Sequence, residues 1–248
     1  MKLAFAALAA AAAALVPTAA TAKCMRTELA PEILTTADSK LPRDGGILVG
    51  WENSTTADPT PGDPSVQAAW TATAGGKPAA LTVTTLAPGL TVYTPAKPVA
   101  GKYTLADAKH KNLVTVLLGA SPADPKTALA APKVTHVLLN TESEGRMRNA
   151  TTLVAAVDSV PEAAVALIIY SYSQVGSSHA ASFGRVAHDK PGATTVLVVP
   201  SAGHCGRLPP GTEAILVGAK ATFAWVDAAG HVSPPSAAIA VEAGPKSE

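Results

Sequence analysis

Cysteine is almost missing from this chain, with two residues in 248. That is too few to staple so long a sequence, so the fold must rest on an apolar core and not on a disulfide framework. Aromatic residues make up 4% and charged residues 15%, against 48% apolar residues, a balance that excludes an intrinsically disordered tail. No charge sign dominates either, with 19 basic and 18 acidic side chains. A nucleic-acid-binding protein would carry a basic stripe with aromatics between the charges. The densest basic cluster here, Arg146 and Arg148, has Glu142 and Glu144 beside it, which reads as a solvated turn and excludes nucleic acid as a partner.

The start of the chain has the pattern of an export signal. Lys2 supplies a positive end, residues 3–16 are apolar, and Ala20, Thr21 and Ala22 form the small-residue pattern behind which a signal peptidase cuts. As a helix the apolar run spans only ~21 Å at ~1.5 Å per residue, short of the ~30 Å hydrocarbon layer. Residues 1–22 are therefore expected to be removed after Ala22, leaving a balanced mature chain that is secreted or periplasmic. No later segment is long and apolar enough to span a membrane. Cys24 follows Lys23 and lies second after the predicted cut, which argues against a lipid anchor. The Ala-, Pro- and Thr-rich body suggests a bacterium of high GC content.

In an oxidising compartment Cys24 and Cys205 are the only pair the chain can form within itself. A disulfide between them would close a loop of roughly 180 residues, worth at most ~4–5 kcal/mol by chain entropy. With no Cys-x-x-Cys spacing, a staple is the expected role and a redox site is not.

Strand signals dominate. Short β-branched or alternating runs at 46–51, 66–73, 80–86, 90–94, 102–106 and 113–118 are separated by Gly, Pro and Asp clusters. A second group lies at 133–139, 151–157, 164–172, 194–199, 213–226 and 236–241, with 183–187 a possible addition. Between the groups, residues 121–132 contain three prolines, which remove backbone donors and stiffen the path. The predicted architecture is all-β: two tandem antiparallel sandwiches, at 23–122 and 133–248, joined by a Pro-rich linker at 123–132. Helix is the rival reading, because alanine is abundant and favours it. The run 164–172 has no polar face, however, and a helix there would have to be buried all round.

Three fragments carry a resemblance. Trp225, Asp227, Gly230, Pro234 and Pro235, within 225–236, resemble the final hairpin of fibronectin type III-like and bacterial Ig-like domains. The stretch 90–105 is similar to the approach to the tyrosine corner of Ig-like folds, which implies that Tyr103 packs inward and bonds backward through its hydroxyl. Residues 41–46 resemble the opening strand of bacterial Ig-like domains and of periplasmic copper-resistance chaperones of the CopC type. Together they imply an exported tandem of Ig-like or fibronectin type III-like sandwiches, and they carry no catalytic residue.

The chemistry-bearing residues are sparse. Six histidines occur, at 110, 136, 179, 188, 204 and 231, with no two at the three- or four-residue spacing of a local metal site. His179, His188, Asp189 and His204 are the set that distant loops would have to bring together. Copper binding of the CopC type would need a histidine at the mature N-terminus, where this chain has Lys23, Cys24 and Met25. Ser201 and His204 lie close, but no Gly-x-Ser-x-Gly elbow surrounds them. Asp44, Asp58 and Asp63 lack the spacing of a calcium loop. Trp51, Trp70 and Trp225 all fall in strand runs, where core packing accounts for two and the third marks a surface. The expectation is a non-enzymatic exported binding or cell-envelope structural protein with no cofactor and no metal, its partner an unidentified protein or envelope component. A periplasmic copper-binding protein, or a hydrolase, is the alternative.

Overall fold

A computed structural model describes residues 31–50, 70–87, 89–107, 112–144, 148–172, 183–186, 195–198 and 217–244. In chain order the strands are β1 (Glu32–Ile33), β2 (Lys40–Leu41), β3 (Ile47–Gly50), β4 (Trp70–Ala74), β5 (Lys77–Ala79), β6 (Leu81–Ala87), β7 (Leu90–Pro95), β8 (Gly101–Asp107) and β9 (Asn112–Leu118). A 3-10 turn at Pro125–Thr127 follows, then β10 (Val134–Glu144), β11 (Arg148–Val157), β12 (Ala164–Tyr172), β13 (Phe183–Arg185), β14 (Thr195–Val198), β15 (Lys220–Asp227) and β16 (Ile239–Ala243). The protein is all-β, and the expected runs correspond to β3, β4, β6 to β12, and β13 to β16. Two bounds differ. In the run 213–226, residues 217–219 lead into the strand through a turn, with Gly218 at φ +86°, and β15 begins at Lys220, while residues 213–216 lie outside the described residues. The short β1, β2 and β5 carried too few alternating positions to be read.

Strands β1 to β9 form two sheets, ordered β1-β3-β7-β6 and β2-β9-β8-β4-β5. Inward residues of both sheets meet in one apolar core around Ile47, Val49, Trp70, Tyr93, Tyr103 and Leu105. Alternation does the sorting: in β8, Tyr103, Leu105 and Asp107 point inward while Lys102 faces solvent. The chain enters by a strand that changes sheets, since β1 pairs antiparallel with β3 and β2 pairs in parallel with β9. Residues 41–46, read as an opening strand, give Leu41 to β2 and otherwise form the turn into β3, closed by Gly45 N–H donating to the Pro42 carbonyl at 3.0 Å.

Strands β10 to β16 form one seven-stranded sheet, ordered β13-β12-β15-β16-β10-β11-β14, which folds over its own core. The corner strand is β16. Its first residues pair antiparallel with β15 and its last three pair in parallel with β10. Trp225, Phe223, Leu153 and Leu167 fill the space enclosed.

A third apolar cluster lies between the two systems. Leu48, Leu90 and Val92, on the outer face of β3 and β7, pack with Ala166, Ile168, Phe183, Ala224 and Val226 from β12, β13 and β15. The β3–β7 pair is therefore apolar on both faces, and so is the β12–β15 pair. This explains the unbroken apolar run that made a fully buried helix the rival reading at 164–172: Leu167 and Ile169 face the inner core while Ala166 and Ile168 face the neighbouring sheet. Each Leu, Ile, Val or Phe removed from water there contributes about 1.5–3 kcal/mol before ordering costs.

Candidate functional site

The polar residues with the most connected geometry meet where the β15 hairpin reaches the first sheet system. After β15 the chain turns through Asp227, Ala228, Ala229 and Gly230, and the turn is built by the Asp227 carboxylate. Its Oδ1 accepts the backbone N–H groups of Ala229 and His231, each at 2.9 Å. Its Oδ2 lies 3.0 Å from His231 Nδ1. Asp and Gly were read here as a tight turn, and the physical reason is this capture of two donors by one carboxylate together with φ +86° at Gly230.

The tip of the turn is inserted into the first system. Gly46 N–H donates to the Ala229 carbonyl at 2.9 Å, and the Thr35 hydroxyl donates to the Ala228 carbonyl at 2.7 Å. The same Thr35 oxygen accepts Leu48 N–H at 2.8 Å. Ala229 packs in the first core, and a Cβ on Gly230 would stand 2.5 Å from Val92 Cγ2. Only glycine fits there.

The acidity of His231 is moved by these neighbours. The hydrogen bond it donates to Asp227 raises its pKa above the ordinary imidazole value, burial opposes, and the charges of Asp227 and Asp44 add to the rise. Asp44 Oδ2 lies 3.8 Å from His231 Nε2, while Asp44 Oδ1 accepts Ala123 N–H at 2.8 Å. One imidazole thus stands between a carboxylate of each sheet system, beside the segment that joins them. The adjoining cleft, lined by Asp124, Leu129, Asp227, His231 and Ser233, has a volume of 90 Å³. That is well under the ~300 Å³ at which small-molecule pockets begin.

Among the described residues no nucleophile completes this pair. Ser233 is close in sequence, yet its hydroxyl accepts Trp225 N–H at 2.9 Å and donates to the Pro234 carbonyl at 2.9 Å. Ser236 repeats the device, accepting Phe223 N–H at 3.0 Å and donating to the Ala237 carbonyl at 2.8 Å. The two hydroxyls repair the ladder beside β15, where Pro234 and Pro235 offer no N–H. Both prolines are exposed. What holds the turn to the first system is the pair of bonds from Thr35 and Gly46, while His231 Nε2 has no hydrogen-bond partner and meets Asp44 only as an ion pair at 3.8 Å when protonated.

The implied tyrosine corner has a counterpart. Tyr103, fully buried on β8, donates through its hydroxyl to the Tyr93 carbonyl at 3.2 Å, ten residues upstream and on the opposite sheet. Burial pushes the Tyr103 phenol up, and the Tyr93 phenol is pushed up to about 12 by burial and by the Asp107 charge. Both stay protonated in any physiological medium. Trp70 lies against Tyr93 with ring centroids 5.2 Å apart.

Trp70 and Trp225 each fill a core, as two of the three tryptophans were expected to do. Trp51, Cys24, Cys205, Asp58, Asp63, Ser201, His110, His179, His188, Asp189 and His204 lie outside the described residues, and with them the proposed disulfide and the histidine set. His136 is exposed, its Nδ1 3.3 Å from Thr135 Oγ1. Among the described residues no three His, Cys, Asp or Glu side chains gather to hold a metal, and no helix is long and apolar enough to cross a membrane. Sequence reasoning noted Asp44 and His231 separately and missed their meeting. The signal available was a histidine four residues after an Asp-Gly turn.

No family model and no curated protein matches the chain. Solved structures with some similarity to it include the following two. The I9–I11 tandem of titin is 10% identical, with a TM-score of 0.21, over 86% of this chain and 66% of that one. Domains 4–9 of the surface layer protein SbsC are 9% identical, with a TM-score of 0.25, over 87% of this chain and 31% of that one. The chain thus spans just under two thirds of the titin tandem and under a third of the SbsC fragment.

Proposed function

We propose that this chain is an exported, non-enzymatic protein that acts through its sheet surfaces, as a binding or structural component of a cell envelope. In this reading the leader is removed after Ala22, and two sandwich units, 23–122 and 133–248, are joined through 123–132 and tied by a Cys24–Cys205 disulfide. The observation that carries it is how the junction uses its polar groups. Thr35 and Gly46 bond across to the backbone of the β15 hairpin, Asp227, Ser233 and Ser236 brace that hairpin's own backbone, and Asp44 lies 3.8 Å from His231, so the polar groups described at the junction are engaged in holding the frame. Polar groups engaged in this way hold the frame, which leaves contact through the outer surfaces as the role this reading assigns.

The test is fractionation of cells that make the full chain, followed by intact-mass analysis and cross-linking. The expected result is a mature protein beginning at Lys23 outside the cytoplasm, two mass units lighter than its reduced form (~2 Da, one disulfide), and cross-linked to envelope material. An unprocessed cytoplasmic chain with two free thiols would overturn the reading.

A further inference from the structure

Among the described residues, the sheets end in edges of unequal protection. β1 and β2 are two residues long, β13 three and β14 four. β5 carries Lys77 and Pro78, both of which block strand addition. β6 is the exception. It runs for seven residues, Leu-Thr-Val-Thr-Thr-Leu-Ala, with no charge, no proline and no glycine, and it pairs on one side only, with β7.

The register shows which backbone groups are free. Ala96 N–H donates to the Ala80 carbonyl, so positions 80 and 96 form a hydrogen-bonded pair in the ladder that matches Leu81 with Pro95 and Thr85 with Thr91. Bonded and non-bonded pairs alternate, which turns the N–H and C=O groups of Thr82 and Thr84 toward β7. Those of Leu81, Val83 and Thr85 point outward. Thr82, Thr84 and Thr85 are exposed, so the edge is open to approach.

We infer that this edge pairs with β6 of a second copy of the chain, antiparallel about a twofold axis through Val83. That register places Leu81 opposite Thr85 of the second copy and Val83 opposite Val83, using every outward group in about six inter-chain hydrogen bonds. Opposed residues share a face. On one face Val83 meets Val83 and Leu81 meets Thr85 of the second copy, beside the first core against which Leu81 and Val83 already pack. On the other, Thr82 meets Thr84. No charge is buried or opposed by its like, so the edge is complementary to itself, and the four-stranded sheet continues into its copy. The inference is independent of export and of the disulfide.

The test is sedimentation of the full chain and of two double variants, from about 10 to about 500 µM. The expected result is a dimer for the wild type and at least about tenfold weaker association for T82K/T84K, whose lysines face one another across the axis. T82E/T84K should be a dimer again, because this register sets Glu against Lys in both copies. A wild type that stays monomeric, a dimer untouched by T82K/T84K, or a T82E/T84K protein as monomeric as T82K/T84K would each overturn the proposal.

Discussion

Gly230→Ala is the most informative single substitution, because a second glycine separates its two effects. Gly230 and Gly218 have the same backbone angle, φ +86°. At Gly218 an added Cβ meets nothing within 4 Å, whereas at Gly230 it would meet Val92 Cγ2 at 2.5 Å and Val92 Cβ at 2.9 Å. Left-handed backbone costs alanine about 1 kcal/mol at either site. Overpacking against Val92, whose own surroundings are the apolar layer between the sheet systems, adds about 1–3 kcal/mol at Gly230 only. G218A should therefore lose about 1 kcal/mol and G230A about 2–4 kcal/mol, which for a chain of this size lowers the melting temperature by roughly 5–15 °C. Urea unfolding followed by tryptophan fluorescence reads both cores, since Trp70 lies in one and Trp225 in the other. In a double-mutant cycle, V92A should relieve about 1–2 kcal/mol of the G230A cost. Equal losses in G230A and G218A, or a cycle without coupling, would refute the insertion of this turn against β7.

Three further outcomes follow from the same geometry. His231 has a raised pKa in the fold, so its charged pairing with Asp227 and Asp44 stabilises fully below the ordinary imidazole value near 6.5 and is lost as pH rises through the higher folded value. The melting-temperature gap between wild type and His231→Gln should therefore be widest near pH 5.5 and narrow toward pH 8.5, and a gap that widens with pH would contradict this. Tyr103→Phe removes a buried hydroxyl bonded to the Tyr93 carbonyl and should cost about 1 kcal/mol in urea unfolding, with no change in the spectrum of secondary structure. Ser233→Ala leaves Trp225 N–H without its acceptor and should cost about 1–3 kcal/mol, while Ser233→Thr, which keeps the hydroxyl, should recover most of it.

The strand pattern was readable because one-faced strands alternate. In β9, Val114, Val116 and Leu118 are buried while Leu113 and Leu117 are exposed, and in β8 the same period places Tyr103 and Leu105 inward. The layering between the systems was not readable, although it leaves a trace. β3, β12 and β15 are apolar without alternation, and those are strands covered on both sides. Periodicity alone cannot tell a strand covered twice from a buried helix. The His231 site was hidden for a different reason: Asp44 and Asp227 are far apart in sequence, and the fold brings them to one imidazole only because Ala228 and Ala229 bond to Thr35 and Gly46. Tyr103 was legible because a resemblance supplied its role. Its acceptor on the opposite sheet was not.

The central claim is that the two sheet systems are sealed into one body by the layer between them. Native-state amide exchange tests it directly on β3 and β7 of one system and β12 and β15 of the other. The account predicts that the slowest amides of all four strands exchange through a common opening, with free energies equal within about 1 kcal/mol and moved together by G230A. If β3 and β7 instead open at least about 2 kcal/mol more easily than β12 and β15, and G230A moves only one pair, the sealed layer does not exist.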